Sequence, residues 1–124
     1  MNMKPTNPIE LLVCAIATQE NSPGTNPGNL RVEGQAHLAP GMIHGQLAVF
    51  ENRAWGTLAL YRDVLAKAAL GMSIRSMIAV YCPRGDGAND PETYVKHIAE
   101  WGLDVDVPLV NLVPPLVKLN VLPT

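Results

Sequence analysis

Glu20-Asn21-Ser22-Pro23-Gly24-Thr25-Asn26-Pro27-Gly28-Asn29-Leu30-Arg31 decides how this chain is read, because it joins two different periodicities. Before it, Ile9, Leu12, Val13 and Ile16 recur at helical spacing. After it, Leu30-Arg31-Val32-Glu33 alternates like a short strand and meets Gly34. The stretch from Asn21 to Gly28 is a loop by composition, rich in proline and glycine. Glu20 stands four residues beyond Ile16 and so prolongs the apolar stripe of the helix. An acid in that place is unusual. Against an apolar wall it can look into a cleft, where the neutral acid is favoured over the carboxylate.

Working outward, Asn7-Pro8-Ile9-Glu10 reads as a helix start, with an asparagine cap, proline in the first turn and an acid completing a capping box. Gly45-Gln46-Leu47-Ala48-Val49-Phe50 is the next strand candidate, expected to pair antiparallel with Leu30–Glu33 across a loose loop from His37 to His44. A longer helix follows from about Arg53 to Leu70. Leu58, Tyr61, Leu65 and Ala68 are expected on its inner side, with Arg62, Asp63 and Lys67 on the wet side and Gly71 at its end. Ser73 caps a short helix carrying Ile74, Met77, Ile78 and Tyr81, which Pro83 stops. Arg84 to Asn89 reads as a loop. Asp90-Pro91 then opens a helix whose Tyr94, Ile98 and Trp101 share a face and whose end is Gly102. The expected architecture is mainly α (α+β): one domain over residues 1–124, helical, with a small two-stranded β-hairpin after the first helix and a proline-rich tail from about residue 106.

Apolar residues make up 48% of the 124 positions, enough for one core. Charged residues are scarce at 16%, which suits a face covered by a partner subunit or a neutral ligand groove. A formal charge of −2 and scattered Lys and Arg give no electrostatic case for nucleic acid. No stretch approaches the roughly 20 apolar residues that span a bilayer. The expectation is therefore a protein without a membrane span. Nothing at the N-terminus reads as a signal peptide. An extracytoplasmic substrate would then be reached by lysis, in a particle or through a secretion device. Cys14 and Cys82 sit in apolar helical contexts as interior thiols, although sequence leaves their pairing open. His37, His44 and His97 form no ligand cluster, so neither a metal nor a cofactor is expected.

Glycosidic cleavage needs a protonated acid near neutral pH beside the leaving oxygen. Glu20 is the candidate, against the plainer reading of a surface carboxylate at a helix end. A second acid could serve as base. Asp86, Asp90 and Glu33 are available, but Asp90 is better placed to cap the helix at Pro91, while Asp86 and Glu33 read as solvated residues. Asn29 and Arg31 can bond sugar hydroxyls, acetamides or a carboxylate, or can serve only the turn and a neighbouring acid. Gln46 can do similar polar work. Tyr94 lies on the apolar face of its helix and reads as core; Tyr81 does too, yet a tyrosine at a helix end can turn its hydroxyl into a cleft.

Five pieces in order carry a family resemblance: Ala15 to Glu20, Asn26 to Arg31, Gly45 to Phe50, Leu58 to Leu65, and Tyr81-Cys82-Pro83 with Asn89-Asp90 and Tyr94. Over nearly residues 10–104 the chain resembles small lysozyme-like muramidases and lytic transglycosylases of bacteriophages and prophages, including virion-associated structural-protein members. The resemblance implies a lysozyme-like fold and a peptidoglycan glycan substrate. It places Glu20 as general acid, with Asn29, Arg31, Asn89 and Tyr94 in or near the cleft. In transglycosylase chemistry one acid suffices, which fits the absence of an obvious second one. It also implies action at the bacterial cell wall or carriage in a phage particle, with a particle or a secretion machine as partner. A second copy of the chain is expected instead from the scarce charge and from the apolar tail, which in a third reading docks a small adaptor to its partner through Leu109 to Leu122. The chain departs from the family in the short, proline-bearing Ser22–Thr25 loop, in Cys82 and in its tail. Some members of the family are structural, so the alternative is a non-catalytic phage structural or cell-wall-binding protein of the same fold.

Overall fold

The computed structural model describes residues 7–22, 24–43, 45–81 and 90–112. It is mainly helical: α1 (Pro8–Glu20), α2 (Arg53–Ala69), α3 (Ile74–Tyr81), α4 (Pro91–Ala99) and a 3₁₀ turn at Leu109–Leu112.

Local chemistry starts and stops these helices. Asn7 accepts hydrogen bonds from the backbone N–H groups of Ile9 and Glu10 at 2.8 and 3.3 Å, ahead of proline in the first turn of α1. Asn52 caps α2 through Trp55 N–H, and Asp90 caps α4 through Thr93 N–H. At Gly71 and Gly102 the backbone takes φ of 82° and 93°, a region that glycine enters freely, and the chain turns away from α2 and α4. Pro83 lies outside the described residues, as do Cys82, His44, Asp86, Asn89 and the tail from Val113. Cys14 is a partly buried free thiol.

The core forms where α1 packs on α2 and α4, and α3 packs on α4. Leu12 and Ile16 of α1, Leu60 and Val64 of α2, Ile74 and Ile78 of α3, and Tyr94 and Ile98 of α4 are almost wholly withdrawn from solvent. Each such side chain contributes about 1.5–3 kcal/mol relative to leaving it exposed. The segment after α4 returns across the start of α3, where Val105 C=O accepts from Arg75 N–H and Met72 C=O accepts from Leu109 N–H.

Two expectations change. The inner face of α2 is built from Gly56, Ala59, Leu60, Val64 and Ala68, whereas Leu58 and Leu65 are about half exposed, at 51% and 49%. Close approach is the reason. A Cβ on Gly56 would stand 1.7 Å from the carbonyl oxygen of Thr25, so position 56 admits only glycine. Asp63 and Lys67, expected on the wet side, are instead partly buried.

In the segment between α1 and α2, pairing is limited to isolated antiparallel bridges, Arg31 with Leu47 and Leu38 with Phe50. Val32 N–H to Gln46 C=O and Ala48 N–H to Leu30 C=O flank the first bridge, and Gly34, His37, Gly41 and Gly45, all with positive φ, turn the chain between Arg31 and Leu47; no continuous ladder forms among the described residues.

Gly56→Ala should lower stability by about 1–3 kcal/mol in urea denaturation, because the new methyl displaces backbone. Gly24→Ala, with nothing within 4 Å of its added Cβ, should stay close to wild type and serves as the control.

Candidate functional site

Glu20 is the last residue of α1, and Asn21 turns the chain out of the helix with φ 51°, its N–H bonding Ala17 C=O. The loop that follows is tied down at several points. Arg53, at the start of α2, donates to the carbonyls of Ser22 and Gly24, and Phe50 N–H donates to Thr25 Oγ1 at 2.9 Å.

Asn26 closes the loop. Its side-chain amide donates to Leu30 C=O at 2.8 Å and to Ala48 C=O at 2.9 Å, and its Oδ1 accepts from Leu30 N–H at 2.9 Å. The residue is only 6% exposed, so these are low-dielectric bonds that would be costly to leave unmade. Asn26 was not among the residues singled out from sequence. An asparagine ahead of Pro-Gly signals an Asx-type turn, but its burial follows from packing against Ala48, 22 residues away.

Inside the closed loop, Gly28 lies against α2 and α3. A Cβ there would meet Tyr81 Oη at 2.6 Å and Leu60 Cδ1 at 2.8 Å. Asn29 comes next, with φ 51°, and its side-chain Nδ2 donates to Glu20 Oε1 at 2.8 Å. From α4, the Tyr94 hydroxyl donates to Glu20 Oε2 at 2.7 Å. Each carboxylate oxygen thus accepts from a protein donor, and the residue is partly exposed.

Tyr81 stands one step behind. Its hydroxyl donates to Gly28 C=O, and its ring meets that of Tyr94 edge-on, with centroids 6.3 Å apart. Burial, then the charges of Glu20 and Asp63, push the Tyr81 phenol well above its ordinary pKa. One turn beyond Tyr94, His97 Nδ1 and Gln19 Oε1 lie 2.6 Å apart and tie α4 to the end of α1.

Of the residues singled out from sequence, Glu20, Asn29 and Tyr94 meet directly. Tyr81 faces inward with its hydroxyl engaged by backbone, which makes it a support for the loop rather than a free binding group. Arg31 donates to Gly45 C=O at 3.0 Å and Gln46 accepts from Ile43 N–H at 3.1 Å, so both brace their own loop. Asn89 lies outside the described residues. Among other acids, Asp90 caps α4 and Glu33 accepts from Gly45 N–H at 2.6 Å. No group of three or more His, Cys, Asp or Glu residues able to hold a metal ion occurs among the described residues, and no described helix is long and apolar enough to cross a membrane.

The raised phenol of Tyr81 has a consequence for stability. Because its folded pKa exceeds the unfolded value of about 10, the contribution is complete below about pH 10 and is lost as pH rises toward the folded value. Tyr61, raised by burial and then by Glu10 and Cys14, acts in the same sense. Urea denaturation between pH 8 and 11 should therefore show stability falling at the alkaline end. Tyr81→Phe should flatten that fall without abolishing it, and an identical slope in the variant would contradict the assignment.

No protein-family model, curated protein or solved structure matches the chain.

Proposed function

We propose that the chain is a peptidoglycan-cleaving glycosidase of lysozyme-like fold, a lytic transglycosylase or muramidase acting on the β-1,4 bond between MurNAc and GlcNAc, with Glu20 as general acid. The observation that carries this reading is the fixed carboxylate at the end of α1, oriented from one side by Asn29 and from the other by Tyr94. Preorganised polar groups of this kind need no reorientation during reaction, and placement alone can supply several kcal/mol of barrier lowering.

The protonated Glu20 would give its proton to the glycosidic oxygen as the C1–O bond breaks. In transglycosylation the MurNAc C6 hydroxyl then attacks C1 and returns its proton to Glu20, closing an anhydro ring. In hydrolysis a water attacks instead. Tyr94 would hold one carboxyl oxygen throughout. Asn29 would set the angle at which the other meets substrate. The family resemblance supports the glycan as substrate, and the site's few charges suit a neutral sugar chain. Action at the bacterial cell wall, with delivery in a phage particle or through a secretion device, follows from that substrate.

One observation favours a second reading. Both oxygens of Glu20 accept bonds from the protein itself, which also suits a structural strut joining the loop to α4 in a non-catalytic particle or wall-binding protein of the same fold.

Incubation of the purified chain with murein sacculi, followed by mass analysis of soluble muropeptides, separates these readings. Anhydro ends are expected from transglycosylation and reducing ends from hydrolysis. Glu20→Gln should cut product formation by about 10²–10⁴-fold while cosedimentation with sacculi persists. Folded wild-type protein that binds sacculi and releases nothing would leave only the strut.

A further inference from the structure

Asp63 and Lys67 lie one turn apart on α2, with Lys67 Nζ 2.6 Å from Asp63 Oδ1. Their side chains are only 26% and 18% exposed, respectively. The second Asp63 oxygen, Oδ2, is buried and has no hydrogen-bond partner among the described residues. A bare carboxylate oxygen costs free energy, and a partly buried ion pair is often no more stabilising than a well-packed apolar pair. Stability alone is therefore a poor reason for the pair to sit here.

Its position supplies a better one. Lys67 Nζ stands 5.9 Å from the centroid of the Tyr81 ring, within reach of a cation–π attraction. That ring also meets the Tyr94 ring of α4 edge-on, and its hydroxyl donates to Gly28 C=O. Gly28 precedes Asn29, whose side chain holds Glu20. The charge of Asp63 is also felt at the Tyr81 hydroxyl, after burial and Glu20.

The geometry points to Asp63 and Lys67 as positioning residues: the pair fixes the Tyr81 ring so that its hydroxyl keeps Gly28 and Asn29 aligned on Glu20. The inference rests on the reading of Glu20 as the acid of glycan cleavage, but its structural half stands apart from turnover. Neither residue touches substrate in this scheme. They act through Tyr81, Gly28 and Asn29 in turn.

The test combines the Asp63→Leu/Lys67→Met double variant, which replaces the ion pair with apolar side chains, and the single variants Lys67→Gln and Lys67→Arg. Each is followed by urea denaturation, by the NMR position of the Asn29 side-chain amide, and by kcat and KM on sacculi. The double variant should be about as stable as wild type. Its Asn29 amide should nevertheless move toward the free-amide position, and kcat should fall about tenfold with KM little changed. Lys67→Gln should behave likewise, while Lys67→Arg, which keeps both the ion pair and the cation over the ring, should restore the wild-type amide position and rate. A folded double variant, or a folded Lys67→Gln, with the wild-type amide position and kcat would overturn the proposal. If wild type itself cleaves no glycan, the reading of Glu20 falls, and the amide position still decides whether the pair sets Asn29.

Discussion

The three hydrogen bonds of the buried Asn26 side chain are the constraint on which the site depends. They join Leu30, both N–H and C=O, to Ala48 C=O, and so lock the start of the loop to the segment that leads into α2. With that closure made, Gly28 is pressed against Leu60 and Tyr81, and Asn29 is carried to Glu20 in a left-handed conformation. Without it, Leu30 N–H and Ala48 C=O would lose these bonds, while Leu30 C=O would keep only the one from Ala48 N–H. The loop would lose the geometry that turns Asn29 toward the acid.

Glu20 is then addressed from parts of the chain far apart in sequence: its own helix, the loop nine residues on, and α4 at Tyr94, 74 residues away. Tyr81 adds a further hold through the loop backbone. A carboxyl group so placed cannot rotate without breaking at least one good bond. Under the glycan-cleaving function proposed above, this would set the direction of the proton before substrate arrives. The Asp63–Lys67 pair extends the same logic outward by steadying Tyr81 from α2.

Much of this framework was legible in local sequence chemistry. Asn7-Pro8 and Asp90-Pro91 announce helix starts, and Gly71 and Gly102 mark ends, because capping and left-handed turns are written in adjacent residues. Glu20 stood out as an acid at an odd place in an apolar stripe and Asn29 as a turn amide, whereas Tyr94 read as core and was placed near the acid only by the family resemblance. The inner face of α2 was not legible, since Gly56 is set by the nearness of the Thr25 carbonyl rather than by hydrophobicity. Nor was the role of Asn26, whose burial arises only when Ala48 packs over it. The alternating segments promised a hairpin, and they pair antiparallel only at Arg31 with Leu47 and at Leu38 with Phe50, as isolated bridges. The bonds of Arg31 to Gly45 C=O and of Gln46 to Ile43 N–H were not legible, because nothing in their own positions announces them.

A crystal structure of the Glu20→Gln variant with a muramyl tetrasaccharide would test the central claim most directly. The account predicts a glycosidic oxygen within hydrogen-bond distance of the side chain at position 20, with Asn29 and Tyr94 still in contact with that side chain. Sugar bound elsewhere on the surface, with residue 20 touching only protein, would contradict it.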